Sequence, residues 1–249
     1  MSPTLGRSAV LGVFVLLLGC GGGGDRDELV VSAATSLKRP LTEYGRAFEG
    51  AAVRLSFAGS DELAAQIRQG VRPDVFAAAN TELPQQLHEE GLLERPAILA
   101  TNQLIVAVPM DSPIDAVGDL ARDGVDVAVG AQGVPVGDYT REVLDGLRPA
   151  IKKGILRNVR SEEPDVAGIV GKLTQGAADA GFVYATDVLT AGGRLRPIDL
   201  PHELDPDVEY GIAVVREAPN PEQARRFVDG LLNGGGAQVL EYAGFGGAP

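Results

Sequence analysis

The sequence predicts an α/β protein with largely parallel sheets. Two observations carry this: short β-branched runs alternate with stretches of helical periodicity along most of the chain, and glycines punctuate the helical stretches. Strands are expected at 28–32, 53–57, 74–78, 103–109, 126–130, 181–184 and 210–215. Helices are expected between them at 37–48, 61–69, 82–90, 114–122, 136–147 and 166–175, with two more at 221–232 and 237–242. Gly50, Gly70, Gly91, Gly124 and Gly176 each follow an amphipathic stretch, where a left-handed C-cap residue is expected. The run 102–110 is apolar and ends near Pro109, so it reads as a segment that leaves one sheet and enters another, with a return between Tyr184 and Tyr210. On that reading residues 26–105 and 200–249 form one lobe and 106–199 the second, with a cleft between them. The alternative is one continuous doubly wound sheet, and periodicity does not separate the two. No internal repeat is present.

The amino-terminal segment reads as a secretory signal. Arg7 precedes an apolar run from Ala9 to Leu18, too short for a permanent membrane span, and Gly19-Cys20 follows. Leu17-Leu18-Gly19-Cys20 resembles the bacterial lipobox, so residues 1–19 are expected to be removed and Cys20 lipidated. Residues 20–27, with Gly21 to Gly24, read as a flexible tether. Cys20 is the only cysteine, which excludes an intramolecular disulfide and leaves stability to packing. The formal charge of -12 would become -13 on loss of Arg7. Such an acidic chain lacks the clustered Lys and Arg that nucleic-acid phosphates need, so no nucleic-acid partner is expected. A small anion is not excluded, because neutral dipoles hold one in a pocket whatever the sign of the outer surface.

Three places put a hydroxyl or a free backbone N–H at a predicted helix start just after a strand: Ala33-Ala34-Thr35-Ser36, Phe57-Ala58-Gly59-Ser60, and Gly133-Val134-Pro135-Val136-Gly137. The first N–H groups of a helix lack internal partners and lie at the positive end of its dipole, so anions collect there. Taken singly, each serine is equally an N-cap that serves only its own helix. Enzyme chemistry finds little support. His88 and His202 stand in no metal-ligand spacing, no directly coordinated metal is expected, and neither serine sits in a nucleophile elbow. Gly130, Gly133 and Gly137 have the wrong spacing for a phosphate loop, and Glu89-Glu90 and Glu162-Glu163 read as solvated charge.

Several segments, in order over nearly the whole mature chain, resemble the periplasmic molybdate- or tungstate-binding proteins of ABC transporters, a group within the type II periplasmic binding-protein superfamily. They are Val31 to Leu37; Ser56 to Ser60 with Leu63 to Ile67 and Gly70; Pro73 to Ala79; Val134 to Tyr139; Asp165-Val166; and Asp179 to Asp187. The resemblance implies a two-lobed fold with the ligand in the cleft, no cofactor and no enzymatic activity. It also implies an extracytoplasmic protein, a monomer, that delivers molybdate or tungstate to an ABC permease and is held to the membrane by the lipid on Cys20. The oxyanion would be held by the hydroxyls of Ser36, Ser60 and Tyr184 and by the backbone N–H groups of Val136 and Val166. Thr35 stands where the family usually has alanine and Val136 where it usually has a smaller residue, and both would narrow the pocket. Asp61 follows Ser60 where a small residue is common, and as a first-turn acid it is expected to turn outward. Other readings are the same fold with another oxyanion or a small organic anion, or an anchored hydrolase or adhesin-like lipoprotein.

Overall fold

The computed structural model describes residues 28–248. The expected signal segment 1–19, Cys20 and the tether 20–27 lie outside the described residues. The described chain forms two five-stranded sheets of matching design. In the first, β1 (Glu28–Ala34) runs parallel to β2 (Ala52–Ala58) on one side and β3 (Val75–Ala78) on the other. β10 (Val208–Val214) then pairs antiparallel with β3 and with β4 (Ala97–Asn102). In the second, β6 (Val127–Gly130) lies parallel to β7 (Val159–Glu163) and β8 (Ala180–Tyr184), while β5 (Leu104–Pro109) pairs antiparallel with β8 and β9 (Leu195–Ile198). Each sheet thus has a single reversed strand.

Sequence explains where each strand sits. Interior β3 and β8 are buried at every position, as strands covered on both faces must be, whereas edge strand β2 alternates Val53, Leu55 and Phe57 with exposed Arg54 and Ser56. The helices of the first half are α1 (Lys38–Ala47), α2 (Ser60–Arg68), α3 (Glu82–Glu89), α8 (Pro221–Asn233) and α9 (Gly235–Tyr242). Those of the second are α4 (Pro135–Gly146), α5 (Pro149–Asn158), α6 (Val166–Thr174) and α7 (Ala185–Thr190). An aromatic cluster fastens α8 to α1: the Phe227 ring lies 4.9 Å from Tyr44 and 5.2 Å from Phe48. Gly70 and Gly91 adopt φ of +102° and +78°, as the helix stops required, whereas Gly50 is not in the left-handed region because α1 already ends at Ala47.

The structure departs from the sequence reading in identifiable places. The apolar run from residue 102 divides at Gln103, so Leu104 and Ile105, expected with the first lobe, pair with Tyr184 and Val183 in the second sheet. The helix expected at 114–122 is a short 3-10 turn, Val117–Ala121; the Asp119 carboxylate accepts from the N–H groups of Asp115 and Ala116 and holds a turn there instead. β4, α5, β7, α7 and β9 were not anticipated. β7 is a polar edge strand that includes Glu162 and Glu163, and β9 carries Pro197, which a sheet tolerates at its edge.

Candidate functional site

The carboxyl ends of the parallel strands in both sheets converge on one small cavity of about 20 Å³. Ala34, Thr35 and Ser36 reach it from the end of β1, and Ala58, Gly59 and Ser60 from the end of β2. From the second half come Val134, Pro135 and Val136 after β6, Asp165 and Val166 after β7, and Tyr184 at the end of β8. All five sequence-derived candidates, Ser36, Ser60, Val136, Val166 and Tyr184, therefore line the same cavity. None of its lining residues is a lysine or arginine.

Neither serine spends its hydroxyl on capping its own helix. Ser60 is the first residue of α2 and fully buried; its Oγ accepts from the N–H of Ala79, 3.0 Å away, just beyond β3. Ser36 lies in a 3-10 turn, Thr35–Leu37, and its Oγ accepts from the hydroxyl of Tyr210 at 3.0 Å. An oxygen that accepts in this way still has its own proton to donate. In α4, Pro135 occupies the first turn where its missing N–H costs nothing, and Val136, buried at 1% exposure, follows with an N–H that has no partner within the helix. Asp165 caps α6: its Oδ1 accepts from Gly168 N–H at 2.9 Å, which leaves the N–H of Val166 at the helix start.

Tyr184 is the most telling member. Its side chain is 1% exposed, and its hydroxyl oxygen has no hydrogen-bond partner among the described residues. Burial raises its pKa well above the usual phenol value, with Tyr210 nearby adding to the effect, so the group is a neutral donor. A buried hydroxyl left unpaired costs about 1–3 kcal/mol, so its orientation into this cavity points to a ligand that accepts from it.

Residues that the sequence reading did not single out support this lining. Tyr210 and Asn102 stand behind Ser36, with Asn102 Nδ2 donating to the Tyr210 hydroxyl at 3.3 Å and to Thr186 Oγ1 at 2.9 Å. Asp187, almost fully buried, accepts from the Tyr184 N–H at 3.1 Å. Its contact with Tyr184 is local and was findable from the start of an unrecognised helix; the Ser36–Tyr210 contact spans 174 residues and left no local signal. Asp61 does not turn fully outward: it is half-buried, and its Oδ1 is shielded without a partner among the described residues. Lys38 and Arg39 border a neighbouring groove that touches Thr35 and Ser36 from outside the cavity. His88 Nδ1 lies 3.1 Å from the carbonyl of Leu93, and among the described residues no group of His, Cys, Asp and Glu forms a metal cluster.

Comparisons with known proteins agree with this architecture. A family model described as bacterial extracellular solute-binding protein matches residues 29–246. The molybdate-binding protein ModA of Mycobacterium tuberculosis (strain ATCC 25618 / H37Rv) is 35% identical over 225 residues, covering 88% of this chain and 84% of that protein. Among solved structures, the substrate binding domain of a putative molybdenum ABC transporter from Clostridium difficile superposes with a TM-score of 0.67 at 27% identity, covering 89% of this chain and 99% of that one. The Azotobacter vinelandii periplasmic molybdate-binding protein gives a TM-score of 0.78 at 22% identity, over 87% and 98% of the respective chains, and so shares the two-lobed type II fold. This chain belongs to the bacterial extracellular solute-binding proteins, a family that binds solutes outside the cytoplasm and is not a family of enzymes.

Proposed function

We propose that this protein captures molybdate or tungstate in the cavity between its two halves and hands it to an ABC importer. The observation that carries the reading is the unpaired, fully buried hydroxyl of Tyr184, set in a cavity with two further hydroxyl donors and two helix starts. Ser36, Ser60 and Tyr184 would each donate one hydrogen bond, and Val136 and Val166 would donate through their backbone. A dianion with four oxygen acceptors suits such a lining. The five proposed contacts are all donors, so a protonated phosphate would gain nothing from them for its O–H and would rely on the Asp165 carboxylate at the edge of the lining. The small volume favours a compact tetrahedral ion over an organic anion. The 35% identical relative is itself a molybdate-binding protein, which supports the same ligand here. Residues 26–105 with 200–249 would close against 106–199, and the pairing of Leu104 and Ile105 with β8 supports a first boundary near Gln103. The lipobox at Cys20 supports delivery by a monomer tethered to the outer face of the cell membrane, next to its permease.

Titration calorimetry on single variants tests this. Ser36→Ala, Ser60→Ala and Tyr184→Phe should each weaken molybdate binding by about 1–3 kcal/mol, roughly fivefold to two-hundredfold. Neutralising Lys38 or Arg39 should change affinity little, since both lie outside the cavity and are screened by water. A larger loss from either cation than from the three hydroxyls would overturn the neutral-donor site, and tight binding of sulfate or phosphate in place of molybdate and tungstate would overturn the ligand.

A further inference from the structure

Behind Ser36 runs a chain of hydrogen bonds whose direction is fixed at every step. It starts at the crossover between the sheets, where the backbone N–H of Gln103 donates to Asn102 Oδ1 at 2.9 Å. That bond settles which way the Asn102 amide faces: its oxygen is engaged by Gln103, and its NH2 group must point toward Tyr210 and Thr186. An NH2 group only donates. The Tyr210 oxygen therefore accepts a hydrogen bond from Asn102, and its own hydroxyl hydrogen is left to donate to Ser36 Oγ, 3.0 Å away. The opposite arrangement, with Ser36 donating to Tyr210, would leave a phenol proton unpaired in the core, since Tyr210 is fully buried. Tyr210 itself is held by edge-on rings on two sides, Tyr184 at 5.7 Å and Phe245 at 5.3 Å, so its hydroxyl has little freedom to turn elsewhere.

We infer that Tyr210 is a positioning residue for the bound anion, set by Asn102, which commits the Ser36 hydroxyl to act as a donor toward the cavity. The inference rests on Ser36 being a ligand contact, as proposed above. Asn102 also bonds Thr186 on the second half, so the residue that sets Tyr210 is held from both halves where they join. Bonds in such a chain polarise one another, which strengthens the last donor toward a charged acceptor.

A double-mutant cycle read by titration calorimetry with molybdate tests this. Tyr210→Phe keeps the ring and its packing but removes the proton, and should weaken binding about three- to thirtyfold; in a Ser36→Ala background the same change should have almost no further effect. Asn102→Ala, at a half-buried position, should behave alike with a smaller loss, and serves as well if Tyr210→Phe does not fold. A purely structural role for Tyr210 predicts the same loss in both backgrounds, and that result overturns the inference while leaving the anion site intact. If Ser36→Ala alone binds molybdate as tightly as the unmodified protein, then the Ser36 contact itself is wrong and this inference falls with it.

Discussion

At the scale of single residues, the five proposed anion contacts are neutral groups, and Asp187, a buried carboxylate beside them, behaves accordingly. Burial, and to a lesser degree the nearby charge of Asp165, raises the pKa of Asp187 from 3.8 to about 7, against the opposing effect of its bond from the Tyr184 N–H. A carboxyl with a raised folded-state pKa binds its proton more tightly in the folded than in the unfolded chain. Its contribution to stability is then largest at low pH and is lost as the pH rises from about 4 toward 7, with no further change above that. Asp187→Asn keeps an oxygen for the Tyr184 N–H and removes the charge. The variant should be more stable than the unmodified protein at pH 8, by up to about 4 kcal/mol, and the gap should narrow as the pH falls below 7 and close only near pH 4. Thermal unfolding across that range decides it: a gap that does not change with pH would show that Asp187 is not charged at neutral pH or that its charge is fully compensated.

At the scale of elements, the site exists because helix starts can be brought very close together, and Gly59 shows how close. This residue precedes α2 with φ of -57° and ψ of 141°, a conformation any residue adopts, so its glycine is not required by the backbone. A Cβ placed there would lie 2.5 Å from the carbonyl oxygen of Pro164, between β7 and α6 on the other half of the molecule. Gly59→Ala should therefore hold the two halves apart at the rim of the cavity. Molybdate affinity should fall about tenfold or more, while the ligand-free variant loses only the modest stability expected of alanine at an N-cap. Unchanged affinity would mean that the Gly59–Pro164 contact is not part of the bound form. The same scale shows what was legible beforehand. Strand, turn and helix start are contiguous in the chain at Ser36, Ser60 and Val136, so local pattern and family resemblance found them together. The edge strand β7 alternates in burial but has Ser161 and Glu163 at half-buried positions, and β9 is four residues long with Pro197 among them, so neither shows the apolar run by which a strand is recognised. Asn102 and Tyr210 were invisible for a different reason: the bond between them spans 108 residues, and only the assembled sheets bring them together.

At the scale of the whole molecule, the two sheets repeat one plan, and the reversed strand of each is the one that arrives by crossing from the other. β5 enters the second sheet directly after β4 leaves the first, with Gln103 alone between them, and β10 returns after the segment that follows β9. The two crossings lie side by side, since Asn102 at the end of β4 is paired with Val208 at the start of β10. Two adjacent strands joining two bodies leave one easy motion, a rotation about the line through the joints, and resist sliding or separation. The lining of the cavity is shared between both bodies, so an anion held as proposed, by Ser36 and Ser60 on one side and by Val136, Val166 and Tyr184 on the other, would gain its full set of contacts only with the cleft closed by that rotation. A ligand shifts such an equilibrium by the difference in its affinity for the two arrangements. Small-angle scattering should therefore show a smaller radius of gyration with saturating molybdate than without it, and Gly59→Ala should show less of this compaction. An identical radius in both conditions would mean that the halves form a single rigid body and that anion binding rests on a preformed cavity, with the crossings at Asn102 and Val208 serving as a fixed seam rather than a hinge.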